Sequence, residues 1–173
     1  MERGEKQMGH YLNPGTGLFE ISLRSEIYID KSRLIEQTNR YIKTQQRYLC
    51  VSRPRRFGKS MALDMLAAYY DRMEDTQNIF DKLEICQSQS YDQHLNQYDV
   101  LRINMQEFLS ASSNVDEMLK LLQARLIKEL EERWKLSANG DLYDFYRMKI
   151  NITTEIHKCS KYYKPQQYAK FYL

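Results

Sequence analysis

Three adjoining stretches predict an α/β fold. Tyr48-Leu49-Cys50-Val51 is a short apolar run of the kind that makes a buried strand. An arginine-rich turn follows and ends in Gly58-Lys59-Ser60, after which Met61, Ala62, Met65, Leu66, Tyr69 and Tyr70 recur at helical spacing. Strand, turn, Gly-Lys-Ser and helix, in that order, are the layout of a phosphate-binding P-loop. The expected architecture is therefore an incomplete P-loop NTPase-type parallel sheet flanked by helices, with the ligand at the C-terminal end of the first strand.

The remaining elements follow in order. Residues 1–18 read as irregular, with Asn13-Pro14-Gly15 as a turn signal and Gly17 close behind. Tyr28-Ile29 leads to Asp30, a residue type that caps helices, and Leu34, Ile35, Thr38 and Ile42 give the next helix an apolar face. The helix after the Gly-Lys-Ser turn should end near residues 71–74, and a short helical piece follows around Ile79, Phe80 and Leu83. Residues 88–97 are polar and read as a loop in which His94 is solvated, with no ligand-spaced partner. Val100-Leu101-Arg102-Ile103-Asn104-Met105 reads as a second parallel strand covered on both faces. Asn114 and Glu117 form a capping-box pattern ahead of a long helix. Its apolar stripe is Val115, Leu119, Leu122, Leu126, Leu130 and Trp134, and the charges at Lys128, Glu129, Glu131, Glu132 and Arg133 read as a solvated face. Ser137-Ala138-Asn139-Gly140 is a break, and beyond it only Ile150, Ile152 and Ile156 suggest a short strand. The expected division is 1–135 as the N-terminal part of a P-loop domain and 136–173 as a divergent tail.

Composition narrows the function classes. At 173 residues the chain is one domain or part of one, and 42% hydrophobic residues suffice for a core. A charged fraction of 28% and a net charge of +3 do not by themselves argue for nucleic acid. Three cysteines, at 50, 86 and 159, give neither a disulfide framework nor metal spacing, as in a reducing cytoplasm. No signal peptide and no apolar run of membrane-spanning length is visible, so a cytoplasmic location is expected. Asn151-Ile152-Thr153 matches a glycosylation acceptor, but nothing suggests secretion.

The chemistry of the turn is specific. A helix beginning near Gly58 leaves its first N–H groups without intrahelical partners, and they carry partial positive charge toward the turn. Gly58 has no Cβ and lets the backbone come close to a phosphate. Lys59 is placed to reach the β- and γ-phosphates, and Ser60 to offer its hydroxyl to Mg²⁺. The expected cofactors are ATP and Mg²⁺. They are held by Arg55, Arg56, Phe57, Gly58, Lys59, Ser60 and Met61, with Ser60 as the metal ligand. The general pattern has a glycine five residues before Gly58, where this chain has Arg53 followed by Pro54, so the loop enters as a continuation of the strand.

The string Arg53-Pro54-Arg55-Arg56-Phe57-Gly58-Lys59-Ser60 resembles the Walker A loop of the predicted AAA-ATPase-like proteins, a family that tolerates the missing first glycine. The resemblance extends to Tyr28-Ile29-Asp30-Lys31-Ser32 and to residues 80–85 and 99–108, and fades after about Trp134. It implies ATP binding, and it places the Tyr-x-Asp-Lys segment at the base pocket, where the residues alone read Asp30 as a helix cap. It also implies a later apolar strand ending in an Asp-Glu pair and, commonly, a PD-(D/E)xK nuclease-like domain. Neither is found after Trp134, so the expectation is a truncated or frame-disrupted family member that binds nucleotide and hydrolyses it poorly or not at all, with no catalytic residue identified.

Arg55 and Arg56 are read two ways, as groups facing phosphates or a partner and as solvated loop charges. The alternative function is a nucleic-acid or protein interaction module in which Arg53, Arg55, Arg56 and Lys59 grip a phosphate backbone and the tail tyrosines add stacking surfaces. A third reading is an inactive fragment with exposed sheet edges.

Overall fold

A computed structural model describes residues 9–52, 54, 56–136 and 169–172. The chain divides into two compact units, one holding Asn13–Arg102 and Gln166–Leu173, the other Gly9–Leu12 and Ile103–Pro165. Among the described residues no helix is long and apolar enough to cross a membrane.

The first unit opens with the expected turn. Asn13 and Gly15 both have left-handed backbone, φ +50° and +74°. The elements that follow are α1 (Gly17–Leu23), α2 (Arg33–Asn39), β1 (Tyr48–Val51), α3 (Lys59–Tyr70), α4 (Gln77–Phe80), a 3₁₀ turn at Glu84–Gln87 and α5 (Tyr91–His94). The unit is built around α3. Its second half, Met65 to Tyr70, is buried at every position, so the helix is enclosed on all sides rather than laid on a surface. Phe19 from α1, Ile35 from α2, Phe80, Ile85, Tyr91 and Leu95 pack in the same cluster. The tyrosine hydroxyls in this interior are satisfied. Tyr70 donates to Asn39 Oδ1 at 2.7 Å and Tyr69 to the carbonyl of Tyr91 at 2.5 Å, which removes the penalty of burying them.

The expected parallel sheet is not formed. Among the described residues, β1 pairs with β2 (Ala169–Tyr172) in antiparallel register, Tyr48 opposite Tyr172 and Val51 opposite Ala169. The elements are mostly helical, and the α/β parallel-sheet class is overturned by this pairing. The stretch expected as a second strand is engaged elsewhere. Tyr98 bonds its N–H to the carbonyl of Tyr70 at 2.9 Å and accepts from Arg72 at 3.0 Å, while Val100 exchanges bonds with Asn13, N–H to Oδ1 at 2.6 Å and O to N at 2.7 Å. The first residue of the stretch is thereby held by the Asn13 turn, and Tyr98, two residues upstream, by the end of α3. The last residue of that stretch, Met105, already begins a helix, with Asn104 accepting from Gln106 N.

Residues 88–97 also differ from expectation. They contain α5, and His94 is buried, with its Nδ1 2.7 Å from the hydroxyl of Tyr98. The apolar anchors Tyr91 and Leu95 draw this polar segment inward.

The second unit contains α6 (Met105–Ser110) and α7 (Val115–Leu136). Asn114 accepts from Glu117 N at 2.9 Å, and Glu117 returns a carboxylate oxygen to Ser113 N at 2.8 Å, one residue upstream of the usual reciprocal bond. Met118, Leu122, Leu126 and Leu130 are buried, whereas Val115, at 40% exposure, lies outside the stripe. Glu129 does not belong to a solvated face. It is half-buried and accepts from the N–H groups of Tyr11 and Leu12, both at 3.0 Å. Arg125 pairs with Glu107 and lies over the Phe108 ring. The break and strand expected between residues 137 and 168 lie outside the described residues.

Candidate functional site

β1 ends at Val51, and the turn to α3 carries two left-handed residues, Arg56 at φ +68° and Gly58 at φ +71°. Such a conformation is routine for glycine and costs roughly 1 kcal/mol for arginine, so Arg56 is held there by its surroundings. Left-handed residues let a loop turn successive N–H groups to one side, the geometry of an anion nest. Gly58 is the N-cap of α3, and its carbonyl accepts the first helical bond, from Ala62 N at 3.0 Å. Lys59 and Ser60 are therefore the first two residues of a 12-residue helix, where the N–H groups lack acceptors within the helix.

The side chains around this turn are open to solvent. Phe57 is 62% and Met61 40% exposed; Ser60 and Arg56 are exposed, and Lys59 is half-exposed. Lys59 Nζ donates to the carbonyl of Pro54 at 2.9 Å, so the ammonium lies back across the turn. Arg53 and Arg55 lie outside the described residues.

A second lysine reaches the same turn. Lys31 Nζ donates to the carbonyl of Phe57 at 3.3 Å and lies 2.9 Å from where a Cβ on Gly58 would stand. Its segment is anchored on both sides. Asp30 accepts from Ser32 N at 2.7 Å and from Glu84 N at 2.8 Å, and Ser32 Oγ accepts from Ile85 N at 3.1 Å. The N-cap position of α2 is held by Ser32, so Asp30 caps the 3₁₀ turn at Glu84–Gln87 and closes a turn with Ser32 rather than capping α2 directly. Tyr28, in the same segment, has its phenol pushed up to about 12 by burial and then by the nearby Asp30.

One turn past Ser60 on α3, Asp64 forms an ion pair with Arg102 at 2.6 Å, their side chains only 11% and 21% exposed. Burial pushes the Asp64 carboxyl above the usual carboxylate range, against the opposing pull of Arg102. Sequence reasoning found the Gly58-Lys59-Ser60 turn but neither Lys31 as its neighbour nor this pair. The four-residue spacing of Ser60 and Asp64 on one helix face was a legible signal; nothing in the sequence pointed to Arg102.

A positively charged turn at a helix start, with two lysines beside it and a serine hydroxyl at the second position, is chemically suited to a phosphate chain and a divalent cation. The family model described as predicted AAA-ATPase matches residues 16–169, which include the turn, Lys31 and the Asp64–Arg102 pair. No curated protein and no solved structure matches the chain.

Proposed function

The chain belongs to the predicted AAA-ATPase family, and from that premise we propose that it binds ATP at the turn between β1 and α3. The observation that carries this reading is the placement of Gly58 as a left-handed N-cap with Lys59 and Ser60 immediately after it. The N–H groups that open α3 would donate to phosphate oxygens, and Lys59, which donates here to Pro54 O, would turn to the β- and γ-phosphates. Arg56, Phe57 and Met61 would border the chain of phosphates. Ser60 is exposed and would offer its hydroxyl to a bound Mg²⁺. Such an ion would supply neutralisation of the phosphate charge.

The reading favours binding over turnover. Among the described residues the strands are β1 and β2, and neither ends in the acidic residue that orders Mg²⁺ in P-loop hydrolases.

Thermal melts with and without Mg-ATP test the proposal. Ligand that binds only the folded form stabilises it by about 2.7 kcal/mol at a hundredfold excess over Kd. The expected result is a saturable rise in Tm that Lys59→Ala abolishes while leaving the ligand-free melt intact. No rise at millimolar Mg-ATP would overturn it.

A further inference from the structure

A cleft of about 450 Å³ opens on the first unit at the C-terminal end of α2, lined by Asn39, Arg40, Lys43, Ser90, His94 and Tyr98 among others. None of the residues of the Gly58-Lys59-Ser60 turn lines it. The volume suits a small organic molecule.

The polar groups of the cleft divide into those already engaged and those with donor capacity left. Asn39 is engaged: its amide donates to Ser90, and its carbonyl oxygen accepts from Tyr70. His94 is only 8% exposed, its Nδ1 lies 2.7 Å from the Tyr98 hydroxyl, and its Nε2 has no partner among the described residues. Burial, and then the nearby Lys43 cation, hold this imidazole below its ordinary pKa, so the ring is neutral at pH 7. Burial raises the Tyr98 phenol, which keeps its proton. The neutral ring carries one proton, which an anion at Nε2 would draw to that nitrogen while Tyr98 donates its own to Nδ1.

Two cations accompany it. Lys43 sits over the Tyr98 ring, 5.9 Å from its centroid, on left-handed backbone at φ +60°. A lysine in that conformation is strained, an outlier of the kind found at ligand clamps. Arg40 also lines the cleft and has Glu36 as its partner at 3.1 Å. No carboxylate is among the lining residues. A buried imidazole with one ring nitrogen unpartnered among the described residues and the Lys43 ammonium thus line a cleft that no carboxylate lines, with the Glu36-paired Arg40 guanidinium beside them.

We propose that this cleft binds a small organic anion, its carboxylate or phosphate group held between Lys43 and His94 with Arg40 at the rim.

The test uses the full chain, following the histidine ring resonances by nitrogen–proton correlation NMR near neutral pH. Inorganic phosphate and acetate are titrated separately, with potassium chloride at matched ionic strength as control. The expected result is a saturable shift of the His94 resonance, weakened at least tenfold in Lys43→Gln and unchanged in Lys59→Ala. A response to phosphate alone assigns a phosphoryl group, to acetate alone a carboxyl group, and to both a general oxyanion site. Arg40→Gln, an exposed substitution, serves if Lys43→Gln fails to fold, and it should weaken the response severalfold. An equal response to chloride, a response indifferent to both cation variants, or one lost in Lys59→Ala would overturn the proposal.

Discussion

The Lys31 ammonium donates to the carbonyl of Phe57 and stands 2.9 Å from the point where Gly58 would carry a Cβ. Two constraints therefore meet at Gly58, its left-handed backbone and its neighbour. The neighbour is the far end of a flexible side chain and can move, whereas the φ of +71° cannot be relaxed without reshaping the turn. Gly58→Ala should lower stability by about 1 kcal/mol and remove the Mg-ATP shift in the melt. Adding Lys31→Ala should not restore stability; recovery in the double variant would show that the clash, not the backbone, sets the cost.

The Asp64–Arg102 pair is mostly shielded from water, so removing one partner leaves a charge without compensation. Arg102→Met should destabilise the first unit by about 2–3 kcal/mol, less than a fully buried pair because Arg102 keeps some exposure. Converting both, in Asp64→Asn with Arg102→Met, should recover most of that loss. Chemical denaturation of the four forms completes the cycle, and additive losses would show that the two charges do not couple.

His94 makes stability depend on pH in a predictable direction. Its folded-state pKa lies below the ordinary 6.5, so the unfolded chain takes up the proton first. The contribution is fully present above about 6.5 and is lost as the pH falls through the lower folded value. Tm should drop on acidification from neutral pH, and His94→Asn should flatten part of that slope. An unchanged slope in the variant would assign the acid sensitivity to other groups.

In the second unit, Glu129 gathers the backbone N–H groups of Tyr11 and Leu12. Bonds to a charged acceptor are worth about 1.5–3 kcal/mol, and partial exposure reduces that here. Glu129→Ala should cost about 1–2 kcal/mol and raise hydrogen exchange at the Tyr11 and Leu12 amides. Protection that survives the substitution would mean that the segment is held by other contacts.

How much of this was legible in the sequence depended on sequence separation. The start of α3 was readable because Gly58, Lys59 and the apolar spacing lie within one short stretch. The start of α7 was readable for the same reason, from Asn114 and Glu117. The stretch after Asp99 was misread as a parallel strand because its backbone partner, Asn13, is 87 residues away. His94 was misread because its burial depends on Tyr98 and on the anchoring of Tyr91, not on its polar neighbours. In the candidate site, the Lys31–Phe57 and Arg102–Asp64 contacts span 26 and 38 residues, beyond the reach of any local pattern.

The aromatic residues are divided between the two units in a way that optical spectroscopy can exploit. Tyr69, Tyr70 and Tyr91 are locked in the interior of the first unit, while the single tryptophan, Trp134, belongs to α7 in the second. Rigid phenol rings give near-ultraviolet dichroism, and indole emission reports from α7. Tyr11, buried in the second unit, adds to the dichroism, so the two signals weight the units differently, and midpoints that fail to coincide in one denaturant series would reveal that they melt as independent cooperative blocks.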